Sequence, residues 1–306
     1  MSELDPSRAK GLDKKFVLLQ LQLEAEIQRL SRSRGIAMNK EVMKMASANG
    51  IRDADTLTTR LIKSLREYFT ILDATILQSV EDISKARAAD GYSQFVPTLQ
   101  EVTAFEEARR FINELSAFPE SVKKSFPYHR HGPDNNSYSG RIKSIQDSAE
   151  KTVRNIIANA LTDGSSARAI AAKIQNYVIV RPDQKPTRPY DEYRQRFSRP
   201  TSVTPGSIRA GTIASNSMMV ARTETAEMYR DATERLYGSK KWVIGYRWVL
   251  SNSHPKLDIC DALANKGVYD KNDSRPWSHP HCVCDWQAEP VSQSEFRAMV
   301  DRGELK

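Results

Sequence analysis

The 306-residue sequence predicts a mainly α protein: an N-terminal helical bundle followed by an α+β C-terminal module with a small irregular region stapled by Cys and His side chains. Three observations predict it. Apolar residues recur at helical spacing through the first half of the chain. One aromatic and β-branched run, Trp242 to Leu250, reads as a strand. All three cysteines, with three of the five histidines, fall between His254 and Cys284. A hydrophobic fraction of 39% beside 27% charged residues supplies a core and excludes a wholly disordered chain. No run of about 18 apolar residues exists, since even Phe16 to Leu23 is interrupted by Gln20 and Gln22, so no membrane span is expected. Met1 to Pro6 lacks the charged and apolar regions of an export signal. Scarce, odd-numbered cysteine argues against a secreted disulfide framework and for a reducing compartment.

The elements follow in order. Leu12 to Leu30 has helical periodicity, Ser31-Arg-Ser-Arg-Gly35 reads as a break, and Ile36 to Ala48 resumes the helix. From Asp55, the residues Ile62, Leu65, Phe69, Leu72, Ile76 and Ile83 follow a heptad-like seam with Ser79 in the remaining position, predicting a long helix that ends near Gly91. The heptads are not sustained, which favours the seam of a bundle within one chain over the alternative of an intermolecular coiled coil. Leu99 to Leu115 is amphipathic, and Phe126 to Asn136 has the turn chemistry of a surface loop. Helical pattern returns from Arg141 to Leu161, stops at Asp163-Gly164, and restarts at Ala167 to Tyr177 with Ser165 or Ser166 as N-cap. Ile208 to Tyr237 reads as one helix ended by Gly238. Within it, Arg222-Thr-Glu224 is no catalytic pair, because helical residues two apart point to different sides; a buried small-residue stripe with surface charges is expected.

Charge divides unevenly along the chain. The net +8 resides almost wholly in residues 141–212, which hold 13 basic and 6 acidic side chains, whereas residues 1–140 hold 20 and 19 and residues 213–306 hold 13 and 13. Residues 181–206 contain five of the fourteen prolines, the cations Arg181, Lys185, Arg188, Arg194, Arg196 and Arg199, and the aromatics Tyr190, Tyr193 and Phe197. That composition suits an extended linker or arm that contacts either nucleic-acid phosphates or an acidic partner.

The chemistry-bearing residues lie in His254-Pro-Lys-Leu-Asp-Ile-Cys260-Asp261 and His279-Pro-His-Cys-Val-Cys284. Thiolates and imidazoles in two short clusters are what a tetrahedral zinc site requires. Cys260, His279, Cys282 and Cys284 form one such set, with His254 or His281 as alternate ligands. The alternative is three small buried thiols and ordinary turn histidines. Bridging Cys282 to Cys284 would strain the ring, so a disulfide is not expected. No nucleophile elbow, phosphate-binding Gly-rich loop or H-E-x-x-H motif occurs, so no catalytic residue is assigned. The competing reading is a metal-dependent nuclease on His254, His279 and His281, or a transferase on Arg222 and Glu224. The helix such a nuclease needs is barely visible after Trp286.

The order of these features resembles the Mu F-like minor head proteins of tailed bacteriophages. The residues that carry the resemblance are Leu161-Thr-Asp-Gly-Ser-Ser-Ala-Arg-Ala-Ile-Ala-Ala-Lys-Ile174, Val220-Ala-Arg-Thr-Glu-Thr-Ala226, Trp248, Asp258-Ile-Cys260 and His279-Pro-His-Cys-Val-Cys284, spanning roughly residues 145–288. The chain departs from the family pattern at Leu263, where many members have a second cysteine, at Val283, usually arginine, and in the length of the Pro-rich insertion. The resemblance implies a minor capsid protein inside the head near the portal, present in the host cytoplasm during assembly and linked to genome packaging or ejection. It implies the portal protein as partner, with scaffolding or major capsid protein and packaged DNA as further contacts. On this reading residues 1–140 are a helical region without an assigned role, 141–180 open the minor head module, 181–206 are the arm, and 207–306 carry a long helix, short strands and the Cys/His cluster.

Overall fold

A computed structural model describes residues 11–47, 50–51, 53–101, 105–131, 135–179, 212–251, 257–279, 282 and 284–305. The protein is mainly helical with a small antiparallel sheet in its C-terminal part. The helices are α1 (Gly11–Lys44), α2 (Ala54–Glu101), α3 (Phe105–Ser125), α4 (Tyr138–Thr162), α5 (Ala167–Val178), α6 (Ile213–Tyr237), α7 (Ile259–Asn265) and α8 (Gln293–Asp301). Two minimal hairpins, β1 (Ala46–Ser47) with β2 (Gly50–Ile51) and β3 (Arg130–His131) with β4 (Asn136–Ser137), connect helices. The sheet has order β6-β5-β7, from β5 (Val243–Val249), β6 (Val268–Asp270) and β7 (Asp285–Pro290). No helix among the described residues is long and apolar enough to cross a membrane.

The chain forms two compact units, each assembled from separated stretches: residues 1–21, 77–129 and 222–306 in one, residues 22–76 and 130–221 in the other. In the latter, Leu23, Ile27, Met38 and Val42 of α1 and Leu61, Leu65, Phe69 and Leu72 of α2 are buried together with Ile145, Val153 and Ile157 of α4 and Ile170 and Ile174 of α5. Tyr68 Oη lies 3.0 Å from both Ser31 Oγ and Ser217 Oγ, so three buried hydroxyls satisfy one another. Asp163 caps α4, Gly164 takes φ +61°, and Ser166 Oγ accepts from Ala169 N to start α5, as the local sequence predicts.

Two expected breaks do not occur. α1 runs straight through Gly35, and α2 passes Gly91 and continues to Glu101. Both glycines serve close packing. A Cβ on Gly35 would lie 2.5 Å from Cγ1 of Ile179, and one on Gly91 would lie 2.7 Å from the Tyr237 hydroxyl and 3.1 Å from Cδ2 of Leu115. A glycine inside a helix costs about 1 kcal/mol relative to alanine, and here the approach of a neighbour offsets it. The seam of α2 is buried as expected at Ile62, Leu65, Phe69, Leu72, Ile76 and Ile83, but the remaining place is taken by Val80, fully buried, and not by Ser79. Both positions border the stripe, and the apolar side chain is the one that gains by leaving water.

The unit containing residues 222–306 is built on α6 and the sheet. Phe16, Ile83, Ala226 and Tyr229 form one cluster, with the Phe16 and Tyr229 rings stacked at 4.6 Å. The inner face of the sheet carries Tyr246, Trp248, Tyr269 and Trp286, packed with Cys260, Cys282 and Cys284. In β5, Tyr246 and Trp248 point inward while Arg247 is exposed and pairs with Glu289, the alternation of a half-buried strand. Trp248 lies opposite Trp286 in the β5–β7 register. α8 follows β7 and buries Phe296 and Met299. A well-formed helix therefore follows Trp286, where the sequence pattern is faint, because two apolar anchors in nine residues are enough once the sheet is there to receive them.

Candidate metal centre

Three short pieces of chain bring the thiols together. Cys260 is the second residue of α7, whose N-terminus is set by a capping box: Asp258 Oδ1 accepts from Cys260 N at 2.7 Å, and Asp258 N donates to Asp261 Oδ2 at 2.6 Å. Leu257, just before the cap, takes φ +39°, a left-handed conformation that costs a leucine of order 1–3 kcal/mol. This kink turns the chain into α7. The second piece is the turn from His279 to Cys282, closed by Cys282 N donating to His279 O at 3.2 Å. The third is Cys284, immediately before β7, whose N–H points at Cys282 Sγ at 3.4 Å.

All three cysteines are free and buried, at 0%, 2% and 4% exposure for Cys260, Cys282 and Cys284. Their sulfurs lie within 4.8 Å of one another, and Asp258, Cys260 and His279 form a second group within the same limit. Cys260 Sγ and Cys282 Sγ are 3.4 Å apart. Two thiolates on a tetrahedral zinc at about 2.3 Å would sit about 3.8 Å apart, so the donor set fits a metal ion with little movement. His279 Nε2 lies 3.1 Å from Asp258 Oδ2, and the imidazole also reaches the Cys282 sulfur.

One cation organises the cluster from below. Arg230, on α6 and fully buried, donates from Nη2 to Cys282 O and from Nε to Cys284 O, both at 3.0 Å, and from Nη1 to Glu227 Oε1. Its guanidinium stands 5.0 Å from the centre of the Trp248 ring. Glu227 is held on its other side by Arg275 at 3.2 Å, and Arg275 also reaches Glu234 at 3.3 Å. Burial pushes the Cys282 thiol up, but hydrogen bonds from Cys260 and Cys284, the Arg230 charge and the His279 ring outweigh it and hold its pKa well below the ordinary thiol value. Hydrogen bonding to Cys282 and Cys284, followed by burial, pushes the Cys260 thiol up. Arg230 is disfavoured as a cation by burial, yet the Cys282 and Glu227 groups beside it raise its pKa above that of an ordinary arginine. Of the three sulfurs, Cys282 is thus the one that its surroundings favour as a thiolate.

No family model, curated protein or solved structure matches the chain.

Of the sequence-predicted ligands, Cys260, Cys282 and Cys284 form one group and His279 joins Cys260 and Asp258 in a second, whereas His254 and His281 lie outside the described residues. The same holds for the arm cations Arg181, Lys185, Arg188, Arg194, Arg196 and Arg199. The expectation for α6 needs correction. In place of surface charges, this helix buries Glu224, Glu227, Arg230 and Asp231. Burial is tolerated because charges are paired: Glu227 with Arg230 of the same helix and with Arg275, and Asp231 with Arg235; beside them, the buried Arg87 of α2 reaches the Tyr229 hydroxyl and Trp286 O at 3.3 Å, Thr233 Oγ1, and the carboxylates of Asp285 and Asp90 at 3.7 and 3.9 Å. Sequence reasoning missed Arg230, Glu227 and Arg275 as parts of the site, and nothing local in the sequence signals them. Asp258 was findable, since Asp258-x-x-Asp261 before a short helix is a capping pattern.

Proposed function

We propose that the chain is a structural minor head protein of a tailed phage, bound to the portal inside the capsid, whose C-terminal module is stapled by one zinc ion on the Cys/His cluster. The single observation that supports a structural over a catalytic centre is its closure. Three thiols are buried, two of their backbones are clamped by Arg230, and Asp258 and His279 lie beside Cys260, whereas a catalytic zinc keeps a position open to water or substrate. When bound, the metal supplies folding energy to the module. The phage role itself draws on the order of motifs between residues 145 and 288, and the portal, other capsid proteins and packaged DNA are the partners it suggests. Coexpression with the cognate portal protein tests the role: the chain should copurify with portal assemblies and show no hydrolytic activity. Metal-dependent DNA cleavage that disappears in His279→Ala, with no portal association, would replace this reading with the nuclease.

A further inference from the structure

Three thiols leave one corner of a tetrahedron for a fourth ligand, and two side chains stand beside Cys260 to fill it, Asp258 and His279. Asp258 is already committed. One carboxylate oxygen accepts from Cys260 N at 2.7 Å as the N-cap of α7, and the other lies 3.1 Å from His279 Nε2. Drawing that carboxylate onto a metal would strip α7 of its cap or take the carboxylate from beside the imidazole. His279 is differently placed. Its backbone carbonyl accepts from Cys282 N and so ties it to the turn that carries that thiol, its ring lies beside Cys260, and its Nε2 is 3.1 Å from Asp258 Oδ2.

We propose that His279 is the fourth ligand through Nδ1, and that Asp258 is its positioning residue: the carboxylate accepts the Nε2 proton, fixes the tautomer and ring plane, and leaves the Nδ1 lone pair facing the thiols. A histidine ligand whose second nitrogen donates to a carboxylate is a better and more rigid donor than an unsupported one. Asp258 joins two functions in one side chain. It starts the helix that presents Cys260 and orients the ring that completes the set, so the spacing Asp258-x-Cys260 couples the two halves of the centre. This inference rests on the metal reading of the cluster.

The test uses the full chain labelled with ¹⁵N-histidine and loaded with zinc. Long-range ¹H–¹⁵N correlation should show one ring with a metal-bound Nδ1 and a protonated Nε2, and that pattern should vanish in His279→Gln. Asp258→Asn keeps a good N-cap but removes the carboxylate. Competition with a chromophoric chelator should show its zinc affinity reduced about 10–100-fold, while the thiolate-to-metal charge-transfer intensity of the cobalt-loaded protein stays that of wild type. A merely structural role for Asp258 would leave the affinity unmoved. A ring bound through Nε2, an unbound His279, or an Asp258→Asn affinity equal to wild type would overturn the assignment while leaving a metal centre in place. Failure of the wild-type chain to take up zinc would remove both this inference and the staple.

Discussion

Replacing Arg230 with methionine tests whether the cysteine cluster is held from α6. Methionine matches much of the arginine stem in length and apolar character, so little packing is lost, but the three donated hydrogen bonds disappear. The carbonyls of Cys282 and Cys284 are then buried without that donor, at a cost of about 1–3 kcal/mol each. Glu227 loses one of two cations, and stripping a partner from a buried ion pair costs about 3–5 kcal/mol when nothing remains. Because Arg275 stays within 3.2 Å of Glu227, the ion-pair part falls below that range. Contributions that share one side chain do not add fully, so the expected loss is about 4–5 kcal/mol, a large share of a typical domain's stability of about 5–15 kcal/mol. All four tryptophans lie between residues 242 and 286, so urea unfolding followed by tryptophan fluorescence reports on this unit specifically. Arg230→Lys should also lose stability, since a point charge cannot serve two carbonyls and a carboxylate in the geometry of a planar fork. Adding Glu227→Gln to Arg230→Met should recover part of the loss. A destabilisation below about 1 kcal/mol for Arg230→Met would refute the clamp, because it would mean that the carbonyls find other donors at no cost.

Gly35→Ala and Gly91→Ala should each destabilise by about 1–3 kcal/mol through overpacking, opposite in sign to the gain expected from helix propensity; circular dichroism during thermal unfolding decides the sign. Glu81 is hydrogen-bonded to Lys123 and Lys85, which lowers its pKa from 4.5 to about 2. A depressed carboxylate contributes stability that is complete above its unfolded pKa and lost as pH falls through its folded one, so its share should fade between pH 4.5 and about 2 and be absent in Glu81→Gln; a carboxyl-carbon NMR titration of Glu81 with a midpoint near 4.5 would contradict it. Elemental analysis of freshly purified protein should find about one zinc per chain, and chelation should raise hydrogen exchange between residues 257 and 288 while α4 and α5 stay protected. Cys282→Ser should reproduce the chelated state without chelator, and exchange indistinguishable from wild type would count against the staple.

Local chemistry was legible in the sequence wherever a feature is decided by residues within a turn of one another. The Ser166 cap, the stop at Asp163-Gly164, the end of α6 at Tyr237 and the strand within Trp242 to Leu250 follow from short-range sterics and hydrogen bonding, and the structure places them where the sequence predicts. The approach of Cys260 to Cys282 and Cys284, and of His279 to Cys260, was legible for a related reason, since two short clusters of metal-binding residue types stand close together in the chain. Other features depended on partners far away. Gly35 and Gly91 look like helix breakers until Ile179 and Tyr237 come within reach of where a Cβ would be. The charges of α6 read as solvated until Arg275 and the carbonyls of Cys282 and Cys284 arrive from residues some fifty positions on. A charged side chain carries no local mark of whether it will be solvated or paired in the interior, because desolvation is decided by what packs on it. Residue types and turns were therefore set by the local sequence, whereas the clamp on the cysteine carbonyls exists only once the sheet lies against α6.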